Sequence, residues 1–178
     1  MDPIVTYLIT ICLSVLFASA ATHKVLNRAL FAGQLSAYRL VPPALVGVGV
    51  FLLPLLEFSL ATALLIPFMS KLALGGSSFL LVFYGMVMLS AIMRGHSSID
   101  CGCSGADGAT SISYWHIIRN FLLGLIAVVG ALPIKERLFT PYDWVFMLLM
   151  AMTFIAFYQT GNQLLANSSH LKPLGVAR

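Results

Sequence analysis

Apolar residues run for about 17 to 25 positions at a time along this chain, and the polar positions collect between the runs. Five such runs stand out: residues 4–22, Ala44–Phe68, Leu72–Met93, Tyr114–Ile134 and Tyr142–Tyr158. As a helix, each is long enough to cross the roughly 30 Å hydrocarbon layer of a bilayer. The pattern predicts an all-α integral membrane protein, a compact bundle of about five transmembrane helices. Small residues in the third and fourth runs (Gly75, Gly76, Ser77, Ser78, Gly85, Gly124, Ala127, Gly130, Ala131) favour close helix approach in lipid, where apolar burial supplies little association energy.

The stretch "KVLNRALFAGQLSAYRLVPP" after the first run follows a different pattern. At about 100° per residue, Leu26, Ala29, Leu30, Ala37, Leu40 and Val41 share one face, and Lys24, Arg28 and Arg39 share another. An amphipathic helix in the membrane interface is expected, with its basic face toward headgroups, although Phe31 and Leu35 fall on the wrong side. Pro42 and Pro43 end it, because a residue before proline disfavours the α region. An ordinary charged loop is the plainer alternative. Residues 1–160 read as one transmembrane domain and 161–178 as a short polar tail. "FASAA" resembles a signal-peptidase site, but "MDPIVTY" carries an acid and no basic residue, so no cleaved signal is expected.

Composition agrees with this architecture. The 178 residues are 60% hydrophobic and 9% charged, too few charges to cover a soluble domain. The formal charge of +4 is scattered over several loops, which suits membrane lipid headgroups. No basic stripe with interleaved aromatics points to nucleic acid.

Chemistry concentrates in one loop, "RGHSSIDCGCSGADGATSISYWH", residues 94–116, which holds two of the three cysteines and two of the four histidines. Cys101 and Cys103 bracket Gly102, whose backbone freedom permits the tight ring that so close a pair requires. A strained ring of this kind oxidises other thiols readily, which suits thiol–disulfide exchange. Ser111 or Ser113 can cap the following helix, whose dipole favours a thiolate, and His96 and His116 flank the pair as candidate bases. Asp100 works against thiolate formation. Two other readings stand beside the redox one. His96, Cys101, Cys103 and His116 make a nominal zinc set, though with uncommon spacing, and an inert polar loop is the other reading. Cys12, alone in the first run, reads as a small buried hydrophobe.

Glu57, in "LLPLLEFSL", is the acid placed deep inside a run. An intramembrane carboxylate faces the bundle interior and has a partner or a function. Arg119 is the expected partner, with Arg94 or Arg39 as alternatives. A structural ion pair, a proton relay and a quinone-site acid are the roles open to it. Pro54, about one turn earlier, frees a backbone carbonyl.

"LSAYRLVPPALV", "PLLEFSLATALLIP", "IMRGHSSIDCGCSG" and "RNFLLGLIAVV" occur in this order, and together they resemble the MauE family within the DoxX-like group, over roughly residues 4–135. The family often reads CGCFG, and Ser104 stands here in place of the phenylalanine. The resemblance implies a bacterial inner-membrane protein for maturation of methylamine dehydrogenase. Its site would be Cys101 and Cys103, with Glu57 and His96 assisting, and its partners a thioredoxin-like MauD-type protein and the disulfide-rich small subunit of the dehydrogenase. The helix layout also looks like that of vitamin K epoxide reductase and DsbB-type enzymes, which makes a quinone a conceivable cofactor. The alternative is a non-enzymatic scaffold that docks those partners. With five spans, the first loop, the cysteine loop and the tail share a side carrying Lys24, Arg28, Arg39, Arg94, Lys172 and Arg178, against Lys71, Lys135 and Arg137 opposite. The positive-inside rule puts that side in the cytoplasm, whereas oxidising chemistry on a secreted subunit puts the cysteines in the periplasm; the chemistry is given the greater weight.

The resting protein is expected to hold Cys101 and Cys103 as a disulfide, with Cys12 reduced, because a thiolate forms poorly inside an apolar span. Acid-trapped membranes alkylated before and after reduction give the count of free thiols. Three free thiols in the resting protein would contradict the expectation.

Overall fold

The computed structural model describes residues 2–38, 42–94, 114–133 and 140–171. Six helices make up the described chain: α1 (Pro3–Leu26), α2 (Arg28–Ala37), α3 (Pro43–Leu65), α4 (Ser70–Met93), α5 (Tyr114–Gly130) and α6 (Pro141–Leu171). Among the described residues there is no strand. Four of the helices, α1, α3, α4 and the Pro141–Gly161 part of α6, are long and apolar enough to cross a membrane, and α5 is a shorter apolar helix of 17 residues. This is an all-α membrane protein.

Local chemistry sets several helix starts. Pro3, Pro43 and Pro141 each open a helix, where the missing N–H costs nothing and φ is already helical. Asp2 caps α1 by accepting from the Ile4 N–H at 3.0 Å. At α6, Asp143 reaches back and accepts from the Thr140 N–H at 2.8 Å, half of a capping box.

Consecutive long helices run antiparallel, and the packing is chiefly α1 on α3 and α4 on α5. α2 lies against α3, and α6 joins the bundle through α1. The core is built from Leu13 and Phe17 of α1, Leu64 of α3, Leu74 and Leu81 of α4, and Ala127 of α5. The outer faces are apolar too: Phe51, Leu55, Phe79, Leu125 and Phe157 are exposed, as a surface bathed in lipid requires. With apolar groups on both sides of every helix, association rests on close fit. A side chain at Gly124 would meet Val82 at 3.2 Å and the Ser78 carbonyl at 3.5 Å, so its absence sets the α4–α5 distance.

Three expectations change. α1 continues past residue 22 to Leu26, so Lys24 belongs to a spanning helix and not to the interfacial one. α2 seats Phe31 and Gln34 inward and leaves Leu30 exposed, the reverse of the expected face, because α3 offers its apolar flank (Leu35 lies against Gly49). α6 continues to Leu171, well beyond Tyr158, since its Gln, Asn and Ser residues tolerate a helix once it has left the lipid.

Gly124→Leu is expected to force α4 and α5 apart and destabilise the bundle by about 1–3 kcal/mol, whereas Gly75→Ala, with nothing within 4 Å of the added carbon, should be neutral or slightly stabilising. Thermal unfolding of the two variants in detergent compares them directly.

Candidate functional site

Glu57 is 1% exposed, among the most deeply buried side chains in the protein, and Lys24 is 6% exposed. The Lys24 ammonium donates to Glu57 Oε1 in a buried salt bridge. The Tyr84 hydroxyl donates to the same oxygen at 2.8 Å. Glu57 Oε2 has no hydrogen-bond partner among the described residues. The ammonium also lies 4.9 Å from the centre of the Tyr84 ring and 5.4 Å from that of Phe31. Both distances are within cation–π range, which recovers part of the hydration the lysine loses. Four elements therefore meet at one charge pair: α1 gives Lys24, α2 Phe31, α3 Glu57 and α4 Tyr84.

Helix geometry brings these residues together. Ser14 of α1 donates to the Ala61 carbonyl of α3 at 2.8 Å, which fixes the antiparallel register. From that level Lys24 lies about 15 Å along the axis and Glu57 about 6 Å, at 1.5 Å per residue. Side chains lean toward the N-terminus of their own helix, so in an antiparallel pair these two lean toward each other and close the gap. Tyr84 of α4, antiparallel to α3, leans the same way as Lys24. Pro54, buried one turn before Glu57, keeps the helical path and removes one N–H from the interior.

The sequence pointed to Glu57 as the deep acid but to Arg119 as its partner, and the partner is Lys24. Arg119 instead places its guanidinium 5.5 Å from the Tyr158 ring centre, tying α5 to α6. Tyr84 carried no signal as an aromatic in apolar surroundings, whereas Phe31 stood out as a misfit on the basic side of the amphipathic pattern, the side of Lys24. Lys24 did carry one: Thr6, Thr10, Ser14 and Lys24 fall within an arc of about 80° on α1, and all four are buried.

Cys101, Cys103 and His96 lie outside the described residues. The chain leaves α4 at Arg94 and re-enters α5 at Tyr114, both at the bundle face where α1 ends. His116, just inside α5, is 3% exposed, and its carbonyl accepts from Asn120 Nδ2 at 2.7 Å. Ile117 beside it packs with Met88 and Ala91 of α4, with Tyr38, the C-cap of α2, against the same cluster. The helix ends that carry the cysteine segment are thus anchored by apolar packing. Cys12 is a buried free thiol in α1. Among the described residues no group of three His, Cys, Asp or Glu side chains is placed to hold a metal ion.

Fold and site define a multi-pass helical membrane protein with a buried acid–lysine–tyrosine cluster beneath the face that bears its cysteine segment. The chain belongs to the methylamine utilisation protein MauE family, whose profile matches residues 2–133. It is 32% identical over 136 residues to the methylamine utilization protein MauE of Methylophilus methylotrophus, covering 75% of this chain and 72% of that protein. The MauE protein of Methylorubrum extorquens is 31% identical over 126 residues, covering 71% and 68%. That of Paracoccus denitrificans is 29% identical over 132 residues, covering 74% and 70%. No solved structure matches this chain. The matched region takes in α1 to α5 and the cysteine segment, and α6 follows it.

Lys24→Met is expected to cost about 3–5 kcal/mol, because it leaves a buried carboxylate without its cation. Adding Glu57→Gln should restore most of that loss, whereas Arg119→Gln combined with Glu57→Gln should lose the sum of the single effects. Thermal unfolding in detergent reads the cycle; simple additivity for Lys24 and Glu57 would refute the pairing.

Proposed function

We propose that this protein supports the maturation of methylamine dehydrogenase by thiol–disulfide exchange through Cys101 and Cys103, acting with a thioredoxin-like partner of the MauD type on the enzyme's small subunit. The observation that carries the reading is the CGC pair in a chain of the MauE family, on a segment joined to anchored helix ends. In the exchange, a partner thiolate attacks the Cys101–Cys103 disulfide and forms a mixed disulfide. The second partner thiolate then releases it, leaving the partner oxidised and both cysteines reduced. The partner's two thiol protons end on Cys101 and Cys103, so the exchange releases none. Re-forming the ring gives up two electrons and two protons, which a two-electron acceptor takes up; a membrane quinone, reduced to the quinol, is the chemical class.

Glu57 takes the role of proton acceptor in this scheme. Its Oε1 holds Lys24 and Tyr84 while Oε2 remains open to a proton. His96 is the candidate base nearer the thiols in sequence.

For sidedness the chemistry outweighs the charge count: oxidising exchange on a secreted subunit belongs outside the cytoplasm. The location proposed is the bacterial inner membrane, with Cys101 and Cys103 on the periplasmic side.

Cys101→Ser with Cys103→Ser should abolish maturation of the dehydrogenase while the protein still inserts at its normal level. Assay of active dehydrogenase alongside membrane immunoblotting checks both halves. Normal maturation would leave a scaffold that only docks the partners.

A further inference from the structure

Hydroxyl side chains in membrane helices ordinarily close onto a carbonyl three or four residues back. Thr22, Ser59, Thr62, Ser90 and Thr153 all do so here. Two wholly buried hydroxyls do not: Thr6 Oγ1, in a residue 3% exposed, and Ser77 Oγ, in a residue 0% exposed, have no hydrogen-bond partner among the described residues. Glu57 Oε2 is a third such atom. In hydrocarbon each of these is costly unless something meets it.

Their placement is not scattered. Thr6, Thr10 and Ser14 follow one another at one-turn intervals on the buried face of α1, starting near its Pro3 end. Ser14 bridges to the Ala61 carbonyl, and Ala61 stands one turn from Glu57 on α3. On α4, Gly76 lies against Leu60 of α3, which puts its neighbour Ser77 near the same level. Above Glu57 come Tyr84 and Lys24, near the opposite end of α1. From Thr6 to Lys24 the column is about 27 Å long at 1.5 Å per residue, close to the thickness of the hydrocarbon layer. Phe17 and Leu64 pack in the same interior, so this is a series of polar steps in an apolar packing and not an open pore.

We propose that Thr6, Thr10, Ser14 and Ser77 form a hydrated column through which Glu57 exchanges protons with water at the Pro3 end of the bundle, the face opposite the cysteine segment. Buried water needs two to four polar partners; Thr6 Oγ1, Ser77 Oγ and Glu57 Oε2 are unpaired, while Thr10, which donates to the Tyr7 carbonyl at 2.9 Å, and Ser14, which donates to that of Ala61, keep their oxygens free to accept. One proton passes from hydronium at that face to Glu57 Oε2, which becomes a carboxyl. The Lys24–Glu57 pair goes from neutral to a single positive charge, and the return step reverses both changes; no electron moves. The column extends the role given to Glu57 above, but its test reads labelling and not maturation, so either idea can fail alone.

The test places single cysteines in the full-length chain carrying Cys12→Ala, Cys101→Ser and Cys103→Ser, in native membranes, and adds a small charged methanethiosulfonate from one side at a time. Lys71→Cys, exposed at the start of α4, marks the Pro3 face, and Leu13→Cys, 2% exposed on α1 beside Thr10 and Ser14, marks dry interior. Thr10→Cys and Ser14→Cys should react at least about tenfold faster than Leu13→Cys, because only a hydrated thiol ionises, and only from the side that labels Lys71→Cys. If Ser14→Cys does not fold, Ser77→Cys, which gives up no hydrogen bond, takes its place. Reactivity equal to that of Leu13→Cys overturns the column, and labelling from the cysteine-segment side overturns its direction.

Discussion

A charge inside hydrocarbon needs its counter-charge within the protein, and in this bundle Lys24 and Glu57 meet that requirement for each other. Water is not at hand to solvate either group, so the pair has to be enclosed on all sides. α2 closes one side with Phe31 and α4 another with Tyr84. The close approach of α1 to α3, the seating of the short surface helix and the register of α4 are all tied to this contact. The pair is not for that reason a large net source of stability. Its effect is to make other arrangements of the same helices costly, since any sliding of α1 against α3 separates the charges.

The number, order and approximate bounds of the helices could be read from hydropathy, because lipid imposes a minimum apolar length on any helix that crosses it. Glu57 was legible as the deep acid for the same reason. What hydropathy hides is where a helix ends. Thr22, His23 and Lys24 close the apolar run, yet backbone hydrogen bonding carries α1 on to Leu26. Assigning Lys24 to the following segment turned it toward headgroups and left Arg119 as the apparent partner. The C-terminal side of α6 repeats the point: polar residues end the apolar run without ending the helix. Tyr84 was illegible because an aromatic in a greasy segment looks the same whether it meets lipid or a charge, while Phe31 showed itself only as a misfit on the basic side of its segment. The thiol chemistry rests on the motif, which is a property of the sequence, while the cluster below it emerged only from the fold.

Between these two parts stands the packing of α4 on α5. Both helices end at the face from which the cysteine segment departs, and Met88, Ala91 and Ile117 fasten them there. Gly124 and Gly85 bring the same helices together further down, where a larger side chain would press on Val82 or Phe121. A segment that leaves and rejoins a close-packed pair has its anchor points fixed in separation. The family match ends at residue 133, so this arrangement falls within the shared part of the chain and α6 outside it.

Lys24 also bears on the order in which the protein is built. Glu57 follows it by 33 residues, so when α1 is first released toward the bilayer its counter-ion has not yet been synthesised. Until then the ammonium has an alternative: its four-carbon stem, two residues from the helix end, reaches up to the phosphate layer. Once α3 has entered, the same stem can swing down to the carboxylate. α1 thus begins as a helix held at the interface by its lysine and becomes a fully embedded one only when its partner arrives, so the first two spans mature as a pair.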